Sequence, residues 1–260
     1  MDTLIVDRRD GVVTVTMNRP ERKNAVNSVM LGELVAVLGE VERNRDDRVL
    51  VLTGAGGAFC SGADLTDPLG TTGEPDTSPL IGMRRLGDAA LTLHRLTKPA
   101  IAKVDGVAVG AGLSLALGCD LVVVSDRSRF SAIFAQRGLS LDYGASWLLP
   151  RLVGLAKAKE VALFGDIFDA PRAEALGLVN RVLPPDELDG FVDGWARTLA
   201  AGPPLALSMT KTLLNDAFSS SMTEALEAEA RCQAVNFATA DTAEAMTAFV
   251  QKRPPRFTGR

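Results

Sequence analysis

The sequence predicts an α/β fold with a mostly buried sheet, and two observations support this prediction. Short runs rich in β-branched residues recur along the chain, and several are followed by a turn of small residues and a stretch with helical periodicity. The 260 residues are also 47% hydrophobic, which is ample for a large core and fits one domain with an appendage. The recurring order of strand, turn and helix suggests a repeated ββα unit.

The elements follow one another in a simple order. Residues 4–7 and 12–17 alternate as a β-hairpin does, with its turn at Asp10-Gly11. Asn27 or Ser28 can cap the first helix, whose apolar positions are spaced three and four apart. Further segments are predicted as strands at 49–53, 100–105 and 121–124, as helices near 82–97 and from about 111, and as a mobile loop at 66–79.

After roughly residue 200 the chain is predicted to be purely helical. Pro203 and Pro204 suit a helix start. Ser221 with Glu224, and Asp241 with Glu244, match the spacing of a capping box. The sequence therefore divides into a core at 1–200 and a helical region at 201–260.

Composition and charge exclude several classes of function. No apolar run approaches the roughly 20 residues of a membrane span, and the charged start MDTLIVDRRDG is unlike a signal peptide. Three scattered cysteines favour a reducing, cytoplasmic setting, and a net charge of −4 argues against nucleic-acid binding. Gly54-Ala55-Gly56-Gly57 resembles a dinucleotide fingerprint, but Phe59 stands where its third glycine belongs. We expect no metal, no nucleic-acid partner and no membrane partner.

Two glycine turns are the strongest functional signal. Gly110-Ala111-Gly112 lies in DGVAVGAGLSLALGCD, where a strand passes into an apolar helix, and Gly62-Ala63 follows a β-rich segment in the same way. The first N–H groups of a helix have no intrahelical partner, and the helix dipole adds positive charge there. One such donor aimed at a developing oxyanion is worth roughly 3–4 kcal/mol in a transition state.

Several motifs in order resemble those of the crotonase (enoyl-CoA hydratase/isomerase) family: NRPERKNAV, FCSGAD, VDGVAVGAG, GASWLLPRLVG and AFVQKRPPRF. The resemblance implies a superhelix of ββα repeats with a C-terminal helical trimerisation region, assembled as a homotrimer or a dimer of trimers. It also implies an acyl-CoA or enoyl-CoA thioester as substrate, bound by an oxyanion hole at Ala63 and Ala111. Coenzyme A is then part of the substrate, and no separate cofactor is expected.

The two glutamates of the family's hydratases are absent. Ser114 stands at one position and Phe134 at the other, and no glutamate lies between Glu74 and Glu160. A shift of a few residues in the correspondence therefore does not restore the pair.

One acid, Asp142 in GLSLDYGASWLLPRLVG, stands where several enoyl-CoA isomerases of this fold carry an aspartate. A single carboxylate suffices to move one proton between two carbons, which favours double-bond isomerisation through a dienolate. Three alternatives stay open. The chain is a hydratase in which Asp142, with Ser114, manages water; it is a non-catalytic acyl-CoA binder; or Asp142 simply caps the following helix.

The remaining candidates have lesser roles. Tyr143 and Phe134 are expected to shape an acyl pocket, Asp64 to brace its loop, and Cys60 and His94 to be weak candidates for catalysis. By resemblance, Phe249 and Lys252 reach the CoA from a neighbouring subunit, and Thr258 replaces a lysine of the family. The predicted substrate or CoA contacts are Lys23, Ala25, Asp64, Leu65, Gly110, Ser114, Phe134, Phe249 and Lys252.

Overall fold

A six-stranded sheet with helices on both faces organises the molecule in the computed structural model, which describes residues 1–66 and 78–260. This confirms the α/β prediction. Most of the predicted loop at 66–79 lies outside the described residues. The strands of the described chain are β1 Leu4–Arg9, β2 Val12–Met17, β3 Val49–Gly54, β4 Ala100–Val104, β5 Val107–Val109, β6 Leu121–Ser125, β7 Arg129–Ser131, β8 Phe168–Asp169 and β9 Arg181–Leu183.

Helices occupy most of the remaining described chain, with a short 3₁₀ segment at Ile133–Arg137. They are α1 Ser28–Arg43, α2 Pro79–Arg95, α3 Ala111–Leu117, α4 Ala145–Phe164, α5 Ala170–Ala175, α6 Pro185–Ala200, α7 Pro204–Asp216, α8 Met222–Phe237 and α9 Ala240–Val250. No helix in these described ranges is long and apolar enough to cross a membrane.

The larger sheet runs in the order β1-β2-β3-β4-β6-β9, antiparallel between β1 and β2 and parallel elsewhere. Both faces of its centre are covered. Leu50 and Leu52 of β3 face the main core, whereas Val49 and Val51 face a second cluster formed with α6. A strand buried on both sides needs apolar residues at every position, which explains the unbroken run in β3. A smaller sheet, β5-β7-β8, lies beside the start of α3.

The ends of several helices follow the predictions. Asn27 caps α1 by accepting a hydrogen bond from the Met30 N–H at 2.9 Å, and Ser221 and Glu224 form the predicted capping box at α8. The second predicted capping box is wrong, because Thr239 and not Asp241 caps α9. The Asp241 carboxylate instead accepts the backbone N–H groups of Thr258 and Gly259, so it holds the C-terminal tail. The division at residue 200 stays a prediction.

Candidate functional site

The two glycine turns lie against each other. Cys60 and Ala108 form a parallel bridge, in which the Cys60 N–H donates to the Val107 carbonyl at 2.9 Å and the Val109 N–H donates to the Cys60 carbonyl at 3.0 Å. A Cβ added at Gly62 would lie 3.0 Å from the Val109 carbonyl oxygen and 3.8 Å from the Ala111 nitrogen. The close approach and a φ of +104° both require glycine at position 62.

Ala111 is the first residue of α3, and its N–H is free because of how the helix begins. The preceding Gly110 N–H donates to the Ser131 carbonyl at 2.9 Å, and the Ser114 N–H closes the first turn on the Gly110 carbonyl at 3.1 Å. The Ala111 N–H has no acceptor within the described residues. It is therefore a backbone donor with the partial positive charge of a helix start.

Ala63 provides a second free donor beside the first. It bridges Val26 in parallel fashion, and the ladder bonds there run from the Val26 N–H to the Gly62 carbonyl and from the Asp64 N–H to the Val26 carbonyl, both at 2.8 Å. This pattern turns the N–H of Ala63 itself away from Val26, and it too has no acceptor among residues 1–66 and 78–260. The pair has the form expected of an oxyanion hole.

A buried ion pair braces the Ala63 loop. The guanidinium of Arg19 donates to the Asp64 carboxylate at 2.8 Å and to the Ala25 carbonyl at 2.6 Å. Hydrogen bonds from Thr66 and Arg19 hold the pKa of the buried Asp64 carboxyl well below its usual range, so it is ionised at neutral pH. All of the Asp64 contacts in the described chain stay within this loop and its support, which is the bracing role predicted from the sequence.

Replacing Arg19 by methionine is expected to destabilise the protein, since it leaves the Asp64 charge buried without its cation. The free energy of unfolding should fall by about 3 kcal/mol in chemical denaturation. The value of kcat should fall too, because the loop that presents the Ala63 N–H loses its brace. The control is Arg231→Met, which removes a solvent-exposed pair with Glu227 and should cost less than about 1 kcal/mol. Equal losses in the two variants would contradict the bracing role.

Asp142 lies just before α4 in a tightly turned segment. Tyr143 has a φ of +49° and Gly144 a φ of +85°, both left-handed. A bulky residue held in this region is strained, and such strain is concentrated at functional sites. Gly144 is the residue that precedes α4, and the Asp142 side chain accepts no capping hydrogen bond from this helix, so the helix-cap alternative is wrong. Only the Asp142 backbone carbonyl takes part, accepting from the Ala145 N–H at 3.0 Å.

The Asp142 carboxyl is poised to exchange a proton near neutral pH. Its Oδ1 atom is buried and has no hydrogen-bond partner among the described residues. Burial disfavours the charged form and raises the pKa of Asp142 to about 6. An unpaired, desolvated carboxylate is uncommon in a folded protein and is typical of an acid–base group.

Phe134 and the packing of two helices connect the Gly110 turn with the segment that carries Asp142. A Cβ at Gly110 would lie 4.0 Å from the Phe134 ring, so this side chain stands against the turn. The Phe134 carbonyl accepts a hydrogen bond from the Leu139 N–H at 2.9 Å, which turns the backbone back on itself. Asp142 follows Leu139 by three residues. Helices α3 and α4, which begin at Ala111 and just beyond Asp142, pack against each other.

Other predicted groups prove unsuited to proton transfer. The Ser114 hydroxyl is buried and donates to the Gly110 carbonyl at 3.2 Å. Burial raises the pKa of the Cys60 thiol to about 11, which keeps it neutral and inert. His94 packs edge-on against Trp147 with ring centres 4.9 Å apart. No cluster of three or more metal-ligating side chains occurs in the residues described.

The five remaining predicted CoA contacts fall into two groups. Lys23, Ala25 and Leu65 flank the Ala63 loop: the Lys23 carbonyl accepts from the Ser61 N–H at 3.0 Å, Ala25 is buried, and Leu65 is 72% exposed. Phe249 and Lys252 lie at the end of α9, where Phe249 is 84% exposed.

Sequence reasoning missed Arg19 and Asn24. Asn24 is fully buried with a φ of +56°, and its amide donates to the Ala55 and Ala58 carbonyls at 2.8 and 2.7 Å, while its Oδ1 accepts from the Arg19 N–H. Both residues lie in NRPERKNAV, a segment that the sequence analysis used only as a motif resembling those of the crotonase family. The signal was the pair of polar residues in a segment that precedes an apolar helix, but nothing in the sequence showed which loop they support.

The chain matches known proteins over nearly its whole length. The family described as enoyl-CoA hydratase/isomerase matches residues 7–260. The chain is 38% identical to the 1,2-epoxyphenylacetyl-CoA isomerase of Escherichia coli (strain K12), with all of both chains covered. It is 33% identical to the short-chain-enoyl-CoA hydratase of Clostridium acetobutylicum, covering 97% and 96% of the two chains. The crystal structure of an enoyl-CoA hydratase/isomerase from Cupriavidus metallidurans CH34 superposes with a TM-score of 0.90 at 36% identity, covering 100% and 97%.

Proposed function

This chain belongs to the enoyl-CoA hydratase/isomerase family, and we propose that it is an isomerase that moves a double bond in an enoyl-CoA with Asp142 as its proton carrier. The family acts on acyl-CoA thioesters. The observation that supports isomerisation over hydration is Asp142 itself, a half-buried carboxyl whose buried Oδ1 has no partner among the described residues, in a chain that lacks both family glutamates.

The chemistry balances with one carboxylate. Ionised Asp142 takes a proton from C2 of a 3-enoyl-CoA, and the electrons of that C–H bond form a dienolate whose charge rests on the thioester oxygen. The Ala63 and Ala111 N–H groups stabilise this oxygen. Protonated Asp142 then returns the proton to C4, and the double bond ends between C2 and C3. Nothing is oxidised and no water is consumed.

Hydration makes a different demand. It needs a held water and a second group that delivers or accepts a proton, and the Ser114 hydroxyl is already bonded to the Gly110 carbonyl. A non-catalytic binder would have no use for an acid with a pKa near 6. The isomerase predicts a product with a shifted double bond, the hydratase predicts a product heavier by one water, and the binder predicts no reaction.

The test follows 3-hexenoyl-CoA and 2-hexenoyl-CoA by absorbance of the conjugated thioester and by mass. The proposal expects conversion of the first into the second, without products heavier by one water. Faster hydration than isomerisation would overturn it in favour of the hydratase. Absence of both reactions with acyl-CoA binding retained would overturn it in favour of the binder.

A second candidate rests on one similarity. The E. coli relative at 38% identity is named for isomerising 1,2-epoxyphenylacetyl-CoA. That compound is also an acyl-CoA thioester, so the Ala63 and Ala111 N–H groups would bind its carbonyl oxygen in the same way. Assaying this compound beside 3-hexenoyl-CoA compares the two candidates by kcat/KM.

The pH dependence follows from the pKa of Asp142. Because the base must be ionised to begin the reaction, activity should be on a plateau above pH 7 and fall about tenfold per pH unit well below 6. The measurement is kcat/KM for 3-hexenoyl-CoA between pH 4.5 and 8.5. A profile that rises toward acid, or is flat through pH 6, would contradict Asp142 as the base.

We also propose that the chain assembles as a trimer or a dimer of trimers. Exposed apolar side chains support this, among them a set on the last two helices: Met222, Leu226, Val235, Phe237, Met246, Phe249 and Val250. Light scattering after size exclusion is expected to give a multiple of three times 27.5 kDa. Phe249→Asp should lower that mass, whereas the Lys252→Ala control should not; a wild-type monomer would contradict the assembly.

A further inference from the structure

The Asp142 carboxyl lacks a hydrogen bond that would fix the position of its buried oxygen. Its Oδ1 atom has no partner in the described part of the chain. The backbone contributes one contact, from the Ala145 N–H to the Asp142 carbonyl at 3.0 Å. A proton-transfer group has to be held within about 0.5 Å of its working position by the residues packed around it. The anchor for Asp142 must therefore lie in the neighbouring residues.

The residues on the two sides of Asp142 are packed very differently. Side chains 135–140 are all exposed, and Leu141 is only half-buried against the core. Tyr143, directly after Asp142, is 5% exposed and belongs to the main core cluster. The chain is therefore tied to the core at the residue that follows the proposed proton carrier.

The Tyr143 ring lies among four elements of the fold. It lines a cavity of about 10 Å³, room for about one water, so little space is left beside it. The other walls come from α1, β3, α2 and α3, through the buried side chains of Leu34, Leu50, Leu93 and Leu115. Since α3 begins at Ala111, the ring joins the Asp142 segment to the helix that presents an oxyanion donor.

The backbone at Tyr143 shows why a firmly packed ring is needed there. Its φ of +49° is left-handed, a conformation that a bulky residue keeps only where the surrounding structure holds it. Gly144 follows at +85°, which costs glycine little because it has no Cβ. With a smaller side chain at position 143, the turn is free to relax and the Asp142 carboxyl moves with it.

The Tyr143 hydroxyl is not a second proton-transfer group. Burial, and then the nearby Cys60, Cys119 and Asp142 groups, raise the pKa of the phenol. It therefore stays neutral throughout the pH range in which Asp142 titrates. Anchoring the turn requires the ring alone, so phenylalanine should serve as well as tyrosine.

We propose that Tyr143 is a positioning residue for the proton transfer: its buried ring fixes the left-handed turn and so holds the Asp142 carboxyl in place. This role rests on the proposed function only in taking Asp142 as the proton carrier. It differs from the acyl-pocket role expected from the sequence, in which Tyr143 would contact the substrate. Misplacing Asp142 lowers kcat, whereas losing a substrate contact raises the dissociation constant.

The test shortens the ring and then restores it. Tyr143→Leu should lower kcat for 3-hexenoyl-CoA about 10²-fold, the effect of a reacting group misplaced by about 1 Å. The dissociation constant of butanoyl-CoA should stay within threefold of wild type. Tyr143→Phe should recover kcat to within threefold. Leu141→Ala, on the other side of Asp142, is the matched control and should lower kcat less than threefold.

A second readout needs no turnover, so it separates this role from the isomerase proposal. The ¹³C NMR signal of the Asp142 carboxyl, assigned by its loss in Asp142→Asn, reports the pKa of that group. The wild-type value should be about 6, and Tyr143→Leu should lower it toward the ordinary 3.8 as the carboxyl shifts and gains water. If the wild type does not isomerise, this pKa alone decides whether Tyr143 positions Asp142.

Wild-type kcat or an unmoved Asp142 pKa in Tyr143→Leu would overturn the proposal. A raised dissociation constant with kcat retained would overturn it in favour of the acyl-pocket role. Equal losses of kcat in Tyr143→Phe and Tyr143→Leu would overturn it in favour of the hydroxyl. Should Tyr143→Leu not fold, Tyr143→Met replaces it with the same expectations, because methionine fills irregular space in a core without fixing a single shape.

Discussion

Asp142→Asn is expected to lower kcat for double-bond isomerisation by about 10²–10⁴-fold, the usual contribution of a positioned acid–base group. Asparagine keeps the shape of the side chain but cannot take up a proton. Acyl-CoA binding should stay within threefold of wild type, because the Ala63 and Ala111 donors are untouched. The measurement is kcat for 3-hexenoyl-CoA together with the dissociation constant of a saturated acyl-CoA.

Stability provides the control for that variant. The folded pKa of Asp142, about 6, exceeds the ordinary value of 3.8, so ionisation costs stability as the pH rises from about 4 through 6. A neutral amide at this position avoids the cost, and Asp142→Asn should melt no lower than wild type at pH 8. Ser114→Ala is the matched substitution of the other candidate and should change kcat less than tenfold. An Asp142→Asn enzyme that keeps a tenth of its activity would contradict the proposed role.

Gly112→Ala is expected to lower kcat by about 10²–10³-fold, the effect of losing one oxyanion donor. A Cβ at position 112 would overlap the Cys60 carbonyl oxygen, which is backbone and cannot rotate away. The start of α3 must then move away from the Cys60 backbone, and the Ala111 N–H moves with it.

The control for Gly112→Ala is Gly32→Ala, in the open interior of α1. Alanine is the better helix former, so this variant should keep full activity and gain a little stability. Circular dichroism separates misfolding from misalignment of the hole. A folded Gly112→Ala protein with wild-type kcat would contradict the claim that the Ala111 N–H stabilises the reaction.

The sequence predicted those parts of the molecule that local chemistry determines. The hairpin at Asp10-Gly11, the Asn27 cap and the Ser221–Glu224 box each depend on residues close together in the chain. The prediction at Asp241 was wrong because the competing partners, the backbone of Thr258 and Gly259, are too far along the chain for a spacing rule to find.

The candidate site also has features that depend on neighbouring residues and features that depend on distant contacts. The sequence marked the two glycine turns as candidate sites of free backbone donors, and the resemblance to the crotonase family assigned the donors to Ala63 and Ala111. Two other features depend on burial and on contacts across the fold: the Asp142 oxygen without a partner in the described part of the chain, and the support that Arg19 gives to the Ala63 loop. A cavity beside Trp147 is lined mainly by α2, α4 and α7, which are distant in sequence, so no local sequence pattern predicts it.

Mass spectrometry in deuterated water tests the central claim most directly. Purified protein is incubated with 3-hexenoyl-CoA, and the product is analysed for deuterium and for added water. A one-carboxylate isomerase predicts 2-hexenoyl-CoA, with deuterium where the Asp142 proton exchanges with solvent before its return, and no such product from Asp142→Asn. Predominant 3-hydroxyhexanoyl-CoA, or an undiminished isomerisation by Asp142→Asn, would contradict the account.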